Sequence, residues 1–203
     1  MSKGIKIKTF KDKIPGMVKT FEAIHGKKIQ VGVFDGDTAW LAHIHEYGCD
    51  IKAKKARYLT VPVNPKAKGK RAGEFKDLYF IEDKDGDKFL VRNVGKDKIE
   101  FMYWLTEWVK IPERSFLRAG FDRNIDNVNK TIDRLMNSLT NGNLTEDEFC
   151  DIVGKTMASK IKTYARDLNT PANASVTSEA KGSSNPLVDT GQMIRDITWK
   201  VED

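Results

Sequence analysis

Residues 112–168 read PERSFLRAGFDRNIDNVNKTIDRLMNSLTNGNLTEDEFCDIVGKTMASKIKTYARDL, and their periodicity decides the fold. Leu117, Phe121, Ile125, Val128, Ile132, Leu135 and Leu139 recur at steps of three and four. That spacing puts them on one face of a helix of about seven turns. The expected opening is Pro112-Glu113, because a proline at a helix start loses no bond it would otherwise make. Asn141-Gly142-Asn143 closes the pattern, and Thr145 with Glu148 three residues on forms a capping box for the next helix. That helix carries Phe149, Ile152, Val153, Met157, Ile161, Tyr164 and Leu168, and Pro171 stops it. Two amphipathic helices joined by a short polar turn make an antiparallel pair.

Upstream of this hairpin, strand signals dominate. The β-branched run Ile29–Phe34 predicts a strand, as do Tyr58–Val63 and Ile99–Val109. Pro62 assigns the second of these to a sheet edge or a bulge. The apolar character of the third implies burial on both faces, or a subunit interface on one. Leu78–Ile81 and Phe89–Val91 flank a turn at Asp85-Gly86 and predict a hairpin. Short helices are expected over 12–26, with Ile14, Met17, Val18, Phe21 and Ile24 on one face, and over 38–47, capped by Asp37 or Thr38 and ended by Gly48. Residues 64–76 read as an exposed basic loop, with only Phe75 to anchor them.

The expected architecture is α+β in a single domain, residues 1–203. A mostly antiparallel β-sheet, joined by the C-terminal strand, packs against the two long antiparallel helices, with short helices at the N-terminal side. Within it, 1–110 is a sheet-rich basic half with an exposed loop and hairpin insert at 52–98. The helical hairpin occupies 111–170, a small-and-polar mobile loop 171–186, and the C-terminal strand 187–203.

The chain has 203 residues and a formal charge of +6. Residues 1–100 hold 22 basic and 14 acidic side chains, and residues 101–203 hold 13 and 15. The basic excess therefore lies wholly in the first half. No apolar run reaches the roughly 18 residues of a membrane span. No apolar segment follows the basic N-terminus, so no secretory signal is expected. Cys49 and Cys150 have no metal-ligand spacing and no framework of partners, which fits a reducing compartment.

Catalytic patterns do not assemble. On a helix His43 and His45 point apart. Asp83, Asp85 and Asp87 lack the glycine and the later glutamate of a calcium loop. Neither a phosphate loop nor a nucleophile elbow occurs. No cofactor, metal or small-molecule substrate is therefore expected. Two segments stand out instead. Lys52, Lys54, Lys55 and Arg57, with Lys66, Lys68, Lys70 and Arg71, make eight basic residues without an acid between them in either segment. Such loops are solvated surface, neutralise phosphates without reading sequence, or dock an acidic partner.

Three stretches in this order carry a family resemblance: Ala42-His43-Ile44-His45-Glu46-Tyr47-Gly48, Ile111-Pro112-Glu113-Arg114-Ser115-Phe116-Leu117-Arg118, and Asn185-Pro186-Leu187-Val188-Asp189-Thr190-Gly191-Gln192-Met193. Over roughly residues 12–201 the chain resembles the tailed-bacteriophage neck and tail-completion proteins, the lambda minor tail protein Z-like and virion morphogenesis group. The resemblance implies a structural, non-enzymatic virion protein assembled in the bacterial host cytoplasm. Its partners would be itself in a ring, expected to be sixfold, the tail terminator and head-closure or connector proteins, and DNA in transit. It makes His45, Glu46, Tyr47, Arg114, Phe116, Arg118, Asp189, Thr190 and Gly191 candidate interface residues. In this reading Tyr47 buries its ring, and Arg114 and Arg118 share a helical face. The eight basic residues become candidates for lining the channel or facing a partner. Sequence-independent nucleic-acid binding through the basic loops is the alternative function.

Overall fold

The computed structural model describes residues 14–96, 98–173, 185–188 and 190–202. In chain order the elements are α1 (Ile14–His25), β1 (Lys28–Gly32), α2 (Gly36–Tyr47), β2 (Cys49–Lys52), β3 (Leu59–Pro62), β4 (Tyr79–Glu82), β5 (Lys88–Asn93), β6 (Ile99–Thr106), β7 (Trp108–Ile111), α3 (Arg118–Thr140), α4 (Glu146–Asp167), α5 (Gln192–Arg195) and β8 (Thr198–Glu202). The fold is α+β, and the long helices α3 and α4 pack against strands.

The main core is built on α4, whose Phe149, Val153, Met157, Ile161 and Ala165 are buried. The reciprocal bonds of Thr145 and Glu148 start the helix as a capping box. On one side α4 meets α3, where Gly120 lies so close to Tyr164 and Ile161 that only a hydrogen fits comfortably. On another it meets the ribbon of β1 and β8, which pair antiparallel in the register Lys28↔Glu202 to Gly32↔Thr198. Gly154 makes that second approach feasible. A Cβ there would stand 2.5 Å from Trp199 Cδ1, so the indole lies directly on the helix backbone. The Trp199 Nε1 donates to Asp151 Oδ1 at 2.8 Å, which fixes the ring.

The strands do not form one sheet. They form a two-stranded sheet β1-β8, a two-stranded sheet β2-β7 and a four-stranded sheet in the order β3-β6-β5-β4, with antiparallel pairing throughout. The C-terminal strand joins β1 rather than the larger sheet. The segment expected as one strand over 99–109 is broken at Glu107, so β6 and β7 serve different sheets. Pro62 does lie in an edge strand, where its missing N–H leaves no ladder bond unmade.

The four-stranded sheet carries its own core. Ala67, Met102 and Tyr103 are buried together, with Ala72, Phe75, Leu78 and Leu90 packed on them. Residues 64–76 are therefore not a free loop. They form two 3₁₀ turns, Pro65–Ala67 and Ala72–Glu74, which cover one sheet face. The Tyr103 hydroxyl donates to the Lys70 carbonyl at 2.9 Å, and burial pushes its pKa up. The β2-β7 ribbon links this sheet module to the helical core.

Candidate functional site

The three motif stretches meet around the C-terminal end of α2. Glu46 is the centre, with only 2% of its surface exposed. Its carboxylate accepts five hydrogen bonds: from Phe116 N and Leu117 N at 2.8 Å, Arg118 N at 3.0 Å, Ser115 Oγ at 2.8 Å and Arg118 Nε at 2.9 Å. The first N–H groups of a helix have no partner within the helix. Leu117, at the N-cap of α3, has no side-chain acceptor to offer them. Glu46 supplies the acceptor from 70 residues upstream, and its negative charge sits at the positive end of the helix dipole. With five donors on two oxygens, this carboxylate positions α3 and has no free lone-pair direction for proton transfer.

This cap explains why α3 begins at Arg118 rather than Pro112. The chain from Pro112 to Leu117 runs outside the helix to reach Glu46. Arg114 therefore does not share a helical face with Arg118. It is 4% exposed, and it donates to the Pro171 carbonyl at 2.8 Å, the Ala172 carbonyl at 3.1 Å and Asn173 Oδ1 at 3.2 Å. Burial lowers its pKa from the usual arginine value. Its backbone N–H donates to the His45 carbonyl at 2.7 Å, and Phe116 and His45 are buried. Gly48 completes the closure at φ +71, where a Cβ would stand 2.8 Å from Glu113 N and 2.9 Å from the Ile111 carbonyl. Only glycine fits there.

Arg118 reaches outward from the same cluster. Its guanidinium bonds Glu46 and Glu113, which together raise its pKa, and it lies 4.6 Å from the centroid of the Tyr47 ring. Tyr47 is exposed rather than buried, and its ring contacts His43, which in turn stacks on Trp40. The spacing of Trp40, His43 and Tyr47 was visible in the sequence. A helix with exposed aromatics at i, i+3 and i+7 presents them on one stripe.

The third motif closes the far side. Leu187 and Met193 are buried in the main core, and a cleft of about 210 Å³ brings His45 and Leu41 together with Thr190 and Gly191. Gly191 turns with φ 75, and the Thr190 hydroxyl accepts from Gln192 N at 3.3 Å. Asp189 lies outside the described residues, as do 174–184 of the expected mobile loop. Of the basic candidates, Lys52, Lys54, Lys55, Arg57, Lys66, Lys68, Lys70 and Arg71 are all exposed and all belong to the sheet side of the chain. Lys66 is engaged with Glu100 at 2.8 Å, Arg57 lies over Tyr58 and Lys70 over Phe75. Among the described residues no cluster of three His, Cys, Asp or Glu side chains could hold a metal, and no helix is long and apolar enough to cross a membrane.

Comparison of the chain with protein-family models, with curated proteins and with solved structures gave no match.

Proposed function

We propose that the chain is a structural virion protein of a tailed bacteriophage, a neck or tail-completion protein that forms a ring at the head–tail junction. The observation that carries this reading is the convergence of the three motif stretches. Residues 42–48, 111–118 and 185–193 lie far apart in sequence, yet they meet through Glu46, Arg114 and the cleft at His45. That convergence supports reading the three stretches as parts of one module. What the junction does chemically is hold, since its ionised groups are bonded within the chain. That suits a part whose work lies in its surfaces.

In a phage encoding this chain, a nonsense mutation should leave DNA-filled heads and separate tails in the lysate. Normal infectious particles from the mutant would sink the reading.

The exposed basic loops favour a second use, contact with phosphates, inside a ring or by the free protein. Replacing Lys54, Lys55 and Arg57 with Glu should lower the dependence of DNA binding on log salt by about 3, one for each phosphate contact removed. An unchanged slope, read by titration at several salt concentrations, would make these loops solvated surface only.

A further inference from the structure

One strand of the helical core has an open edge. β1 pairs with β8 alone, in the register Lys28↔Glu202 to Gly32↔Thr198. Among the described residues no backbone group outside β8 bonds to Lys28–Gly32. An antiparallel strand turns alternate N–H and C=O groups away from its partner. On β1 those groups form a template for a further strand.

A groove of about 410 Å³ accompanies that edge. Ile29 and Val31 of β1, Leu117 and Phe121 of α3 and Ile161 of α4 give it an apolar lining. No residue of β8 lines it, so it opens on the side of β1 that β8 leaves free. Ile161 is 2% exposed and Phe121 45%, so the groove has a covered part and an open wall. Its charged members, Arg118 and Asp122, are of opposite sign and give it no net charge.

Edge and groove together specify their occupant. The edge takes an extended backbone, and the groove takes apolar side chains at every second position. On β1 itself Ile29 and Val31 pack on the core while Lys28 and Gln30 are exposed. A strand added beside it must alternate in the same way. Residues 1–13 lie outside the described residues, and their sequence includes Gly4-Ile5-Lys6-Ile7-Lys8-Thr9. That stretch repeats the alternation of Lys28-Ile29-Gln30-Val31, with β-branched residues at the apolar positions. The chain is long enough to bring it there. α1 packs on α3 and α4 and enters β1 through Gly26 and Lys27 alone. Ile14 is therefore within about 27 Å of Lys28, at 1.5 Å per helical residue and about 3.5 Å per extended one. From Ile14 back to Ile5 the chain spans up to about 31 Å. A segment tethered so closely meets its own β1 at an effective concentration of about a millimolar, far above that of the same segment on a second copy at micromolar protein.

We propose that the edge of β1 is a strand-receiving site and that residues 4–9 of the same chain occupy it as a third strand of the β1-β8 ribbon. Ile5 and Ile7 fill the groove beside Phe121, and Lys6 and Lys8 join Lys28 and Gln30 on the solvent face. The added strand also closes an edge that would otherwise invite pairing with other chains. The proposal does not depend on the role of the chain in a virion.

Amide hydrogen exchange of the full-length protein, read residue by residue by NMR, tests this. In the double variant Ile5→Lys, Ile7→Lys, alternate amides of Lys28–Gly32 should exchange at least about tenfold faster than in the parent, because the shielding strand has lost both apolar anchors. Amides of α4 should exchange as before, which shows that the fold is kept. The double variant Lys6→Gln, Lys8→Gln leaves the groove-facing side chains in place and should match the parent. The parent should also show nuclear Overhauser contacts between the Ile5 or Ile7 methyls and the Phe121 ring. Equal β1 exchange in the parent and the isoleucine variant, equal acceleration in the lysine variant, or the absence of those contacts would each overturn the proposal. A mixing experiment separates the two sources of the strand. Isotope-labelled isoleucine variant mixed with excess unlabelled parent should gain no protection in β1. Restored protection would mean that the strand comes from a second copy, and the assignment to the same chain would fall.

Discussion

At the residue scale, Glu46 is the most consequential side chain outside the apolar core. It replaces a local N-cap, a dipole partner and an ion-pair partner at once. Glu46→Ala would leave three backbone N–H groups and Arg118 Nε without their acceptor. The expected loss is about 2–3 kcal/mol of folding stability, the cost of leaving buried N–H donors without an acceptor, since the Arg118 side chain is half exposed. Denaturant unfolding measures it, and Glu113→Ala is the control. That partner of Arg118 is exposed, and its removal should cost less than about 1 kcal/mol. If the two variants lose equally little, Glu46 is not the organising cap.

Glu100 gives a pH signature in the sheet module. Hydrogen bonds from Lys66 and Arg92 hold its pKa down at about 2. A carboxylate whose folded pKa is depressed stabilises the fold above its unfolded value, and that contribution fades as pH falls toward the folded one. Glu100→Gln should therefore be less stable than the parent at neutral pH. The gap should narrow from about pH 4.5 down to about pH 2. A gap constant across that window would show that the ion pairs add nothing.

At the element scale, the contact of α4 with the β1-β8 ribbon hinges on the missing side chain at Gly154. In an open helix Gly→Ala stabilises, because alanine has the better helix propensity. Here the new methyl meets Trp199 at 2.5 Å and Ile29 Cγ2 at 3.1 Å. Gly154→Ala is expected to destabilise by about 1–3 kcal/mol, the usual cost of overpacking. The indole must also shift from Asp151, so Trp fluorescence should change along with the melting midpoint. A stabilised variant with unchanged fluorescence would refute the close approach.

The helical hairpin was readable because its pattern is local. Three- and four-residue steps from Leu117 to Leu139 and the Thr145–Glu148 box need no distant partner. The start of α3 was not readable, because the acceptor that fixes it lies on another helix. The same applies to α1. Its helix over Ile14–His25 followed from spacing, yet Ile14, Val18 and Phe21 on its apolar side are exposed. Periodicity gives the width of an apolar face and not how much of it a neighbour covers.

At the scale of the whole molecule, the sheet module and the helical core have separate buried clusters. They are joined through a ribbon in which Ala53 N donates to the Glu107 carbonyl at 3.1 Å, at the boundary of the module. Replacing residues 54–106 with a tight Asn-Gly turn should leave β2 and β7 paired as a hairpin. The shortened chain should keep its helical circular dichroism signal and unfold in one cooperative transition. A product without cooperative unfolding would mean that the helical core depends on the sheet module after all.

The sequence by itself determined the α+β class, the helical hairpin with the Thr145–Glu148 box that starts its second helix, the β4-β5 hairpin, a choice of edge or bulge for Pro62 and the basic character of the sheet side. Each follows from spacing or composition within a short window. Only the tertiary structure decided that the strands divide among three sheets, that the C-terminal strand returns to β1, and that Glu46 caps α3. It also decided that Arg114 faces inward while Tyr47 faces solvent. The physical reason is the same in every case. A strand carries no mark of which partner satisfies its edge, and a buried carboxylate carries no mark of which distant N–H groups will satisfy it. Those pairings are fixed when the whole chain packs.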